Sequence, residues 1–125
     1  MKKTGDARRT ETVGSFALKD SGKKQTFDTG YQRDTHDGKP RFDLIPVGCL
    51  YRVAELYRKG AEKYGERNWE LGAPISRFYA SLFRHLMAWA VGKTDEDHLA
   101  AVVWNAFGIM HHEGNGELND MRHGK

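Results

Sequence analysis

The feature that most constrains this chain is the recurrence of apolar residues at every third or fourth position in three segments between residues 46 and 114. Such spacing places side chains on one face of an α-helix. Prolines stand where helices can begin and glycines where they can end. We therefore predict an all-α fold with three main helices: from Pro46 or Val47 to about Tyr64, from Pro74 to just before Gly92, and from a cap at Thr94 or Asp95 to Gly114.

The predicted helices carry more apolar surface than one small bundle can bury. The second helix has two adjacent apolar sides, and the third has a broad apolar face. We expect the chain to complete a larger helical bundle as a homo-oligomer. The residues expected to be buried are Leu50, Val53, Ala54, Tyr57, Ala61 and Tyr64; Phe78, Leu82, His85 and Trp89 with Tyr79, Phe83, Leu86 and Ala90; and Leu99, Val102, Val103, Ala106 and Met110.

The rest of the chain divides around this helical part. We assign residues 1–37 to a flexible or extended N-terminal arm, 38–114 to the helical domain and 115–125 to a polar tail, and no strand alternation competes. Residues 1–42 carry ten Lys and Arg against six Asp and Glu. Because these charges are scattered, a solvated arm is favoured over one that binds nucleic acid.

The cellular compartment expected for the protein follows from features that the sequence lacks. No apolar run is long enough for a membrane span, and no signal-type region follows the basic N-terminus. The single cysteine, Cys49, excludes an internal disulfide and is expected to be a small core residue. We expect a cytoplasmic protein without a membrane partner.

Polar residues interrupt the apolar helices in the middle of the chain. His85 falls within the apolar side of the second helix, next to Arg84. On the third helix, His98, Asn105 and His112 recur every seven residues and flank the apolar face. Buried polar groups need partners. These side chains therefore either bond one another or line a ligand pocket at an interface.

Two groups of residues suit phosphate and base recognition. Arg77 and Arg84, seven residues apart, form a guanidinium row that is equally consistent with a surface ion-pair face. The loop after the first helix mixes positive charge with aromatic planes on which a base can stack. Its residues are Lys63, Tyr64, Arg67, Asn68 and Trp69.

Few carboxylates lie on the apolar, inward-facing sides of the predicted helices. Glu55, Glu62 and Glu66 align on the first helix, but on the side away from its apolar face, as a solvated stripe does. Asp95 lies nearer the apolar side, although Asp95 and Asp97 at a helix start are typical caps. The sequence has no glycine-rich phosphate loop, no nucleophile elbow and no Cys-x-x-Cys pair.

Four ordered motifs carry a resemblance that covers roughly residues 38 to 113. The motifs are Gly38-Lys39-Pro40-Arg41-Phe42-Asp43-Leu44-Ile45-Pro46, Gly60-Ala61-Glu62-Lys63-Tyr64-Gly65-x-x-Asn68-Trp69, Arg84-His85-Leu86, and Asp95 to Ala101 with Trp104-Asn105-Ala106. With these motifs the chain resembles the phage and prophage family of dATP/dGTP diphosphohydrolase N-terminal domains, which is loosely similar to the MazG-like all-α nucleoside triphosphate pyrophosphohydrolases.

The resemblance implies a magnesium enzyme that splits a deoxypurine triphosphate between its α and β phosphates, in the host cytoplasm if the chain is phage-encoded. MazG-like enzymes carry a Glu-x-x-Glu motif, whereas Glu62 and Glu66 here are four residues apart. The expected roles are metal ligation by Asp95, Asp97 and Glu62; catalysis by Asp97 and by His85 or His98, which position or activate water; and substrate binding by Lys63, Tyr64, Asn68, Trp69, Arg84 and Asn105.

Two other functions use the same residues differently. A non-catalytic protein that sequesters a nucleotide at a subunit interface needs the cations, amides and aromatic rings but no metal cage. An interaction module would instead bind DNA or a host protein through the basic arm. Of these two, sequestration is favoured.

Overall fold

The computed structural model of the chain describes residues 22–35 and 37–121, which fall into two compact units. One unit contains the described residues up to Pro46 and the other begins at Val47. Each is described by itself. The parts of the expected arm and tail at 1–21 and 122–125 lie outside the described residues.

The first unit contains a short antiparallel hairpin of β1 (Lys24–Thr26) and β2 (Gln32–Asp34). Its turn is closed by hydrogen bonds of 2.8 Å from Gly30 N–H to the Phe27 carbonyl and from Phe27 N–H to the Tyr31 carbonyl. This sheet corrects the purely α-helical prediction. Strands of three residues are too short for apolar and polar residues to alternate recognisably.

The second unit contains the three predicted helices, α1 (Val47–Tyr64), α2 (Ile75–Ala90) and α3 (His98–His112). The start of α3 is later than predicted because Asp97, rather than Thr94 or Asp95, is its N-cap: the Asp97 carboxylate accepts a 3.2 Å bond from the Ala100 N–H. None of the helices in the described ranges is long and apolar enough to cross a bilayer.

Helix α3 is the centre of this unit, because α1 and α2 both pack against it and contact each other sparsely. Arg52 bonds Asp97, and the Tyr57 and Trp104 rings lie 5.8 Å apart, so α1 runs parallel to α3. Helix α2 runs antiparallel to α3 after the short loop 91–97. The arrangement leaves a cleft between α1 and α2 with α3 at its base.

The α2–α3 contact is set by a glycine. A Cβ at Gly108 would lie 2.5 Å from the Phe78 ring, so only glycine permits this approach. Phe78 in turn stacks on His112, at 5.6 Å between ring centroids. As a result His98, Asn105 and His112 are buried, each at most 6% exposed. The polar band predicted to flank the apolar face is therefore the centre of the interface.

Burial of the polar band turns apolar residues outward, which corrects several predicted core positions. On α3 the cause is the orientation of the helix about its axis, set by the close Gly108 contact. Helix α2 packs on one of its two apolar sides only, and α1 packs against α3 but contacts α2 sparsely. Ten residues were predicted to be buried but are exposed in the structure: Cys49, Leu50, Ala54, Tyr64, Tyr79, Phe83, Trp89, Ala90, Val103 and Met110.

The segment after α3, which the sequence assigned to a polar tail, folds back on the start of α2 as far as residue 121. Asp120 accepts bonds from the Ser76 N–H (2.9 Å) and the Ser76 hydroxyl (2.5 Å). The Ile75 N–H donates to the Leu118 carbonyl at 2.8 Å. These bonds satisfy amide groups that a helix N-terminus otherwise leaves unpaired.

Candidate functional site

Two histidines and an aspartate form a hydrogen-bonded chain at the corner between α2 and α3, which we call the imidazole cluster. His98 Nε2 lies 2.9 Å from an oxygen of Asp95, and His98 Nδ1 lies 2.9 Å from His85 Nδ1. A carboxylate only accepts, so His98 Nε2 carries the proton and donates it to Asp95. His98 Nδ1 is then an acceptor, and His85 Nδ1–H donates to it.

The charge states of the imidazole cluster follow from its surroundings. Burial lowers the pKa of His85, which favours the neutral ring. The hydrogen bond from His98 lowers the pKa of Asp95, so this largely exposed carboxylate is ionised near neutral pH. A neutral imidazole next to an oriented imidazole–carboxylate pair is an arrangement that can position water or bind a cation.

Glu96 brings a third potential ligand to the two rings. One ligand atom from each of His85, Glu96 and His98 lies within 4.8 Å of the others, the one group of this kind in the residues that the structure describes. Glu96 was not among the metal ligands expected from the sequence. Its position beside two histidines could not be read from the helical pattern.

The residues expected to hold magnesium do not converge in this way. Asp95 is bonded to His98, Asp97 to Arg52, and Glu62 to Arg58 at 2.7 Å. Glu62 is ten residues along α1 from Arg52, a rise of about 15 Å. The three residues that converge, His85, Glu96 and His98, do not suit Mg²⁺ either. This ion prefers oxygen ligands, and two of the three donors are imidazole nitrogens.

Asp97 and Arg52 form a bidentate pair that joins α1 to the start of α3. Arg52 Nε and a terminal nitrogen donate to the two Asp97 oxygens at 2.8 and 2.6 Å. The bond lowers the pKa of Asp97 and raises that of Arg52. Sequence reasoning missed Arg52. Its spacing of seven from Lys59, which places both on one side of α1, was the available signal.

These residues line a groove of about 510 Å³, which we call the charged groove. Lys59 from α1 and Lys93 from the α2–α3 loop form no ion pair with any part of the chain that the structure describes, so both ammonium groups are available to an anion. The residues lining the groove are Arg52, Lys59, Trp89, Lys93, Thr94, Asp95, Glu96, Asp97, His98 and Leu99.

A second cavity, the aromatic pocket, has a volume of about 160 Å³ and is lined by Tyr64, Asn68 and Trp69, three of the residues expected to bind substrate. Lys63 lies outside the lining, with its ammonium 5.2 Å from the centre of the Tyr64 ring. The remaining residues of the pocket are Tyr57, Gly60, Ala61, Gly65, Arg67 and Trp104.

The other two predicted substrate residues, Asn105 and Arg84, meet at Ser81 on α2. The Asn105 amide donates to the Ser81 hydroxyl at 3.2 Å and to the Ala101 carbonyl at 2.8 Å. Arg84 donates to the same hydroxyl at 3.4 Å and is otherwise exposed. Asn105 also borders a hollow of about 430 Å³ beside Arg77.

The fold and site define a small, mainly helical protein with an imidazole–carboxylate centre in the charged groove, which is lined by both basic and acidic side chains. The chain belongs to the family described as dATP/dGTP diphosphohydrolase, N-terminal, whose model matches residues 29–122. This match confirms the resemblance of the four motifs. No curated protein and no solved structure gave a significant match to the chain. The family name indicates a hydrolase acting on deoxynucleoside triphosphates.

Proposed function

We propose that the chain hydrolyses a deoxypurine nucleoside triphosphate to the monophosphate and pyrophosphate. The observation that carries this proposal is the charged groove, in which the unpaired Lys59 and Lys93 lie beside the imidazole cluster. Phosphoryl chemistry depends on cations that neutralise phosphate oxygens and on groups that orient the attacking water. The groove offers both kinds of group, and the family name supplies the substrate class.

The binding roles follow the charges. Lys59 and Lys93 bind the phosphates, with Arg84 and Lys63 as further cations at neighbouring positions. Tyr64 is twelve residues along α1 from Arg52, a rise of about 18 Å, so Tyr64 and Trp69 of the aromatic pocket are not assigned to the base of a nucleotide whose α-phosphate lies at the imidazole cluster.

The reacting groups are those of the imidazole cluster. His85 and His98 orient a water molecule for attack at the α-phosphorus. The water oxygen forms a bond to phosphorus and loses a proton to Nε2 of the neutral His85 ring, as the bond to the β-phosphate oxygen breaks and pyrophosphate leaves. Asp97 acts by holding Arg52 at the groove wall. Mg²⁺ enters with the triphosphate, as part of the substrate, since Asp95 and Asp97 are already engaged with protein partners.

A direct test is incubation of the full chain with each of the four deoxynucleoside triphosphates and Mg²⁺, followed by chromatography for monophosphate and pyrophosphate. We expect release from dATP or dGTP, and an increase in KM of roughly tenfold or more in Lys59→Ala, because a charge-assisted hydrogen bond contributes about 1.5–3 kcal/mol. Lys24→Ala, in the hairpin, is the matched control and should leave KM unchanged.

Sequestration makes a different prediction in the same experiment. Its support is that Asp95 and Asp97 are engaged within the protein rather than free to catalyse. Tight retention of intact nucleotide, weakened by Lys59→Ala but without product over hours, would replace hydrolysis by sequestration. Neither retention nor turnover of any of the four nucleotides would overturn both functions.

We also propose that further copies of the chain cover the exposed rows of apolar residues on α2 and α3, each of which faces away from the α2–α3 interface. Between Leu99 and Met110, α3 carries no charged residue, so a charged partner would gain no pairing there. A second copy presents the same apolar surface and can pair with it about a twofold axis. The exposed residues, which we call the apolar rows, are Tyr79, Phe83 and Met87 on α2 and Val103, Phe107 and Met110 on α3.

A further inference from the structure

The imidazole cluster and Glu96 meet the geometric requirements of a metal site that differs from the magnesium site expected from the sequence. We propose that His85 Nδ1, His98 Nδ1 and the Glu96 carboxylate bind one first-row transition-metal dication of the Zn²⁺ or Co²⁺ type. The juxtaposition of these three side chains carries the inference, with their ligand atoms within 4.8 Å of one another. Binding of the ion is independent of hydrolysis; any role of the ion in turnover rests on the proposed function.

The distance between the two rings fits a shared ion. Their Nδ1 atoms are 2.9 Å apart. Two nitrogens each about 2.0–2.1 Å from a tetrahedral Zn²⁺ would be separated by roughly 3.3 Å. The rings therefore need to separate by less than about half an ångström. Glu96 is exposed and forms no ion pair with the described parts of the chain, so its carboxylate can rotate to the same point.

Asp95 prepares His98 to be a ligand. It accepts the Nε2 proton of His98 at 2.9 Å, which leaves a lone pair on Nδ1 directed at His85. The ion replaces the hydrogen bond between the two rings, and His85 then carries its proton on Nε2 so that its Nδ1 also offers a lone pair. A carboxylate behind a ligating histidine fixes the tautomer and the orientation of the ring and raises the basicity of the nitrogen that binds the ion. This outer carboxylate distinguishes the site from two histidines that merely share a hydrogen bond in a core.

The donor set selects the class of ion. Two imidazole nitrogens and one carboxylate suit borderline ions such as Zn²⁺ and Co²⁺, whereas Mg²⁺ favours an octahedron of oxygens. Three protein ligands leave further coordination positions, and the neighbouring charged groove gives solvent or a phosphate oxygen access to them. We therefore expect Zn²⁺ to bind at least 100-fold more tightly than Mg²⁺ when no nucleotide is present.

The test uses the full chain without a histidine tag, freed of metal by a chelator. Titration calorimetry with Zn²⁺ and with Mg²⁺ measures stoichiometry and affinity, and visible absorption of the Co²⁺-loaded protein reports the ligands. We expect one Zn²⁺ per chain, Co²⁺ bands typical of nitrogen and oxygen donors, and affinity that falls at least tenfold in His98→Gln and His85→Gln. Asp95→Asn should weaken binding about 10–100-fold, as loss of an outer carboxylate does.

Two further variants keep the proposal falsifiable if the histidine variants misfold. Glu96→Gln changes an exposed residue and should lower Zn²⁺ affinity at least tenfold, whereas Glu117→Gln, an exposed glutamate outside the site, should not. His111→Gln tests the other adjacent histidine pair, His111 and His112, and should leave binding intact. Unchanged affinity in Glu96→Gln, loss of binding in His111→Gln, or equal affinity for Mg²⁺ and Zn²⁺ would each overturn the proposal.

The result of the metal-binding test can be distinguished from the result of the hydrolysis test. Zn²⁺ binding that depends on Glu96 in a protein without pyrophosphate release would support the metal site and overturn the hydrolase. Pyrophosphate release by a protein that binds no Zn²⁺ would support the hydrolase and overturn the metal site.

Discussion

Single residues decide how closely α2 and α3 approach. Gly108 is in contact with the Phe78 ring, and a Cβ there would come within 2.5 Å of it. Steric overlap of this kind in a packed interface typically costs about 1–3 kcal/mol. We expect Gly108→Ala to lower the free energy of unfolding by that amount, measured by urea denaturation.

The control for this substitution is Gly48→Ala in the first turn of α1, where nothing lies within 4 Å of the added methyl group. Alanine at an open helical position should leave stability unchanged or raise it by up to about 1 kcal/mol. Equal stability of Gly108→Ala and the unmodified protein would show that the two helices are farther apart than described.

The pH dependence of stability is also a residue-scale property, and His111 is a clear case. Its ring lies edge-on to Trp69 at 4.9 Å, and burial lowers its pKa, with His112 and Arg67 adding to the shift and Glu70 opposing it. The unfolded chain then binds more protons than the folded one below about pH 6.5. Stability is present above that pH and is lost on acidification.

We expect the melting temperature to fall between pH 7.5 and pH 5, and to fall less in His111→Gln. Differential scanning calorimetry across this range provides the measurement. The depressed pKa of His85 acts in the same direction, so part of the dependence should persist in the variant. An identical pH profile for the two proteins would contradict the assignment to His111.

At the scale of elements, Asp97 has two separate effects on α3. Its oxygen caps the helix at the Ala100 N–H, and the same carboxylate pairs with Arg52 of α1. We expect Asp97→Ala to cost about 1 kcal/mol for the cap and a further ~0.2–1 kcal/mol for the partly exposed ion pair. Asp97→Asn keeps a capping oxygen and should lose only the smaller part, measured by chemical denaturation.

A double-mutant cycle tests whether the ion pair between Asp97 and Arg52 contributes to stability. If the Asp97–Arg52 bond is formed in solution, Arg52→Ala should destabilise the protein less in the Asp97→Asn background than in the unmodified chain. Additive effects of the two substitutions would mean that α1 is held to α3 by apolar contacts alone. The cycle also separates the structural role of Asp97 from any loss of activity in its variants.

At the scale of the whole molecule, the apolar rows predict self-association. Phe83 is 48% and Phe107 39% exposed in the single chain, on helices that pack together. We expect a concentration-dependent dimer or larger assembly by sedimentation velocity, and a shift toward monomer in Phe83→Glu, because a buried unpaired carboxylate opposes association.

The control is Leu71→Glu, which changes a large apolar residue that is 82% exposed but lies outside the apolar rows. It should leave the sedimentation coefficient unchanged. A monomer at high micromolar concentration, or equal disruption by the two substitutions, would contradict an interface at the apolar rows.

Much of the helical framework was predictable because the signals that mark helices lie in residues close together in the sequence. Apolar spacing, Pro74 before α2 and Gly92 after it are properties of neighbouring residues, and they located the helices to within a few residues. The hairpin at 24–34 was missed because its strands have only three residues each. The aromatic pocket was anticipated in part because Tyr64, Asn68 and Trp69 are close in sequence.

The sequence by itself determined the three helices, the family, and the concentration of polar residues around His85 and His98. The tertiary structure alone decided that the polar band of α3 is buried while Val103 and Met110 face outward, that Arg52 meets Asp97 45 residues away, and that Glu96 joins the two histidines. Helical periodicity specifies which residues share a face. Which face packs inward depends on the rotation and register of each helix, and these are set by close contacts such as Gly108 on Phe78, between residues far apart in sequence.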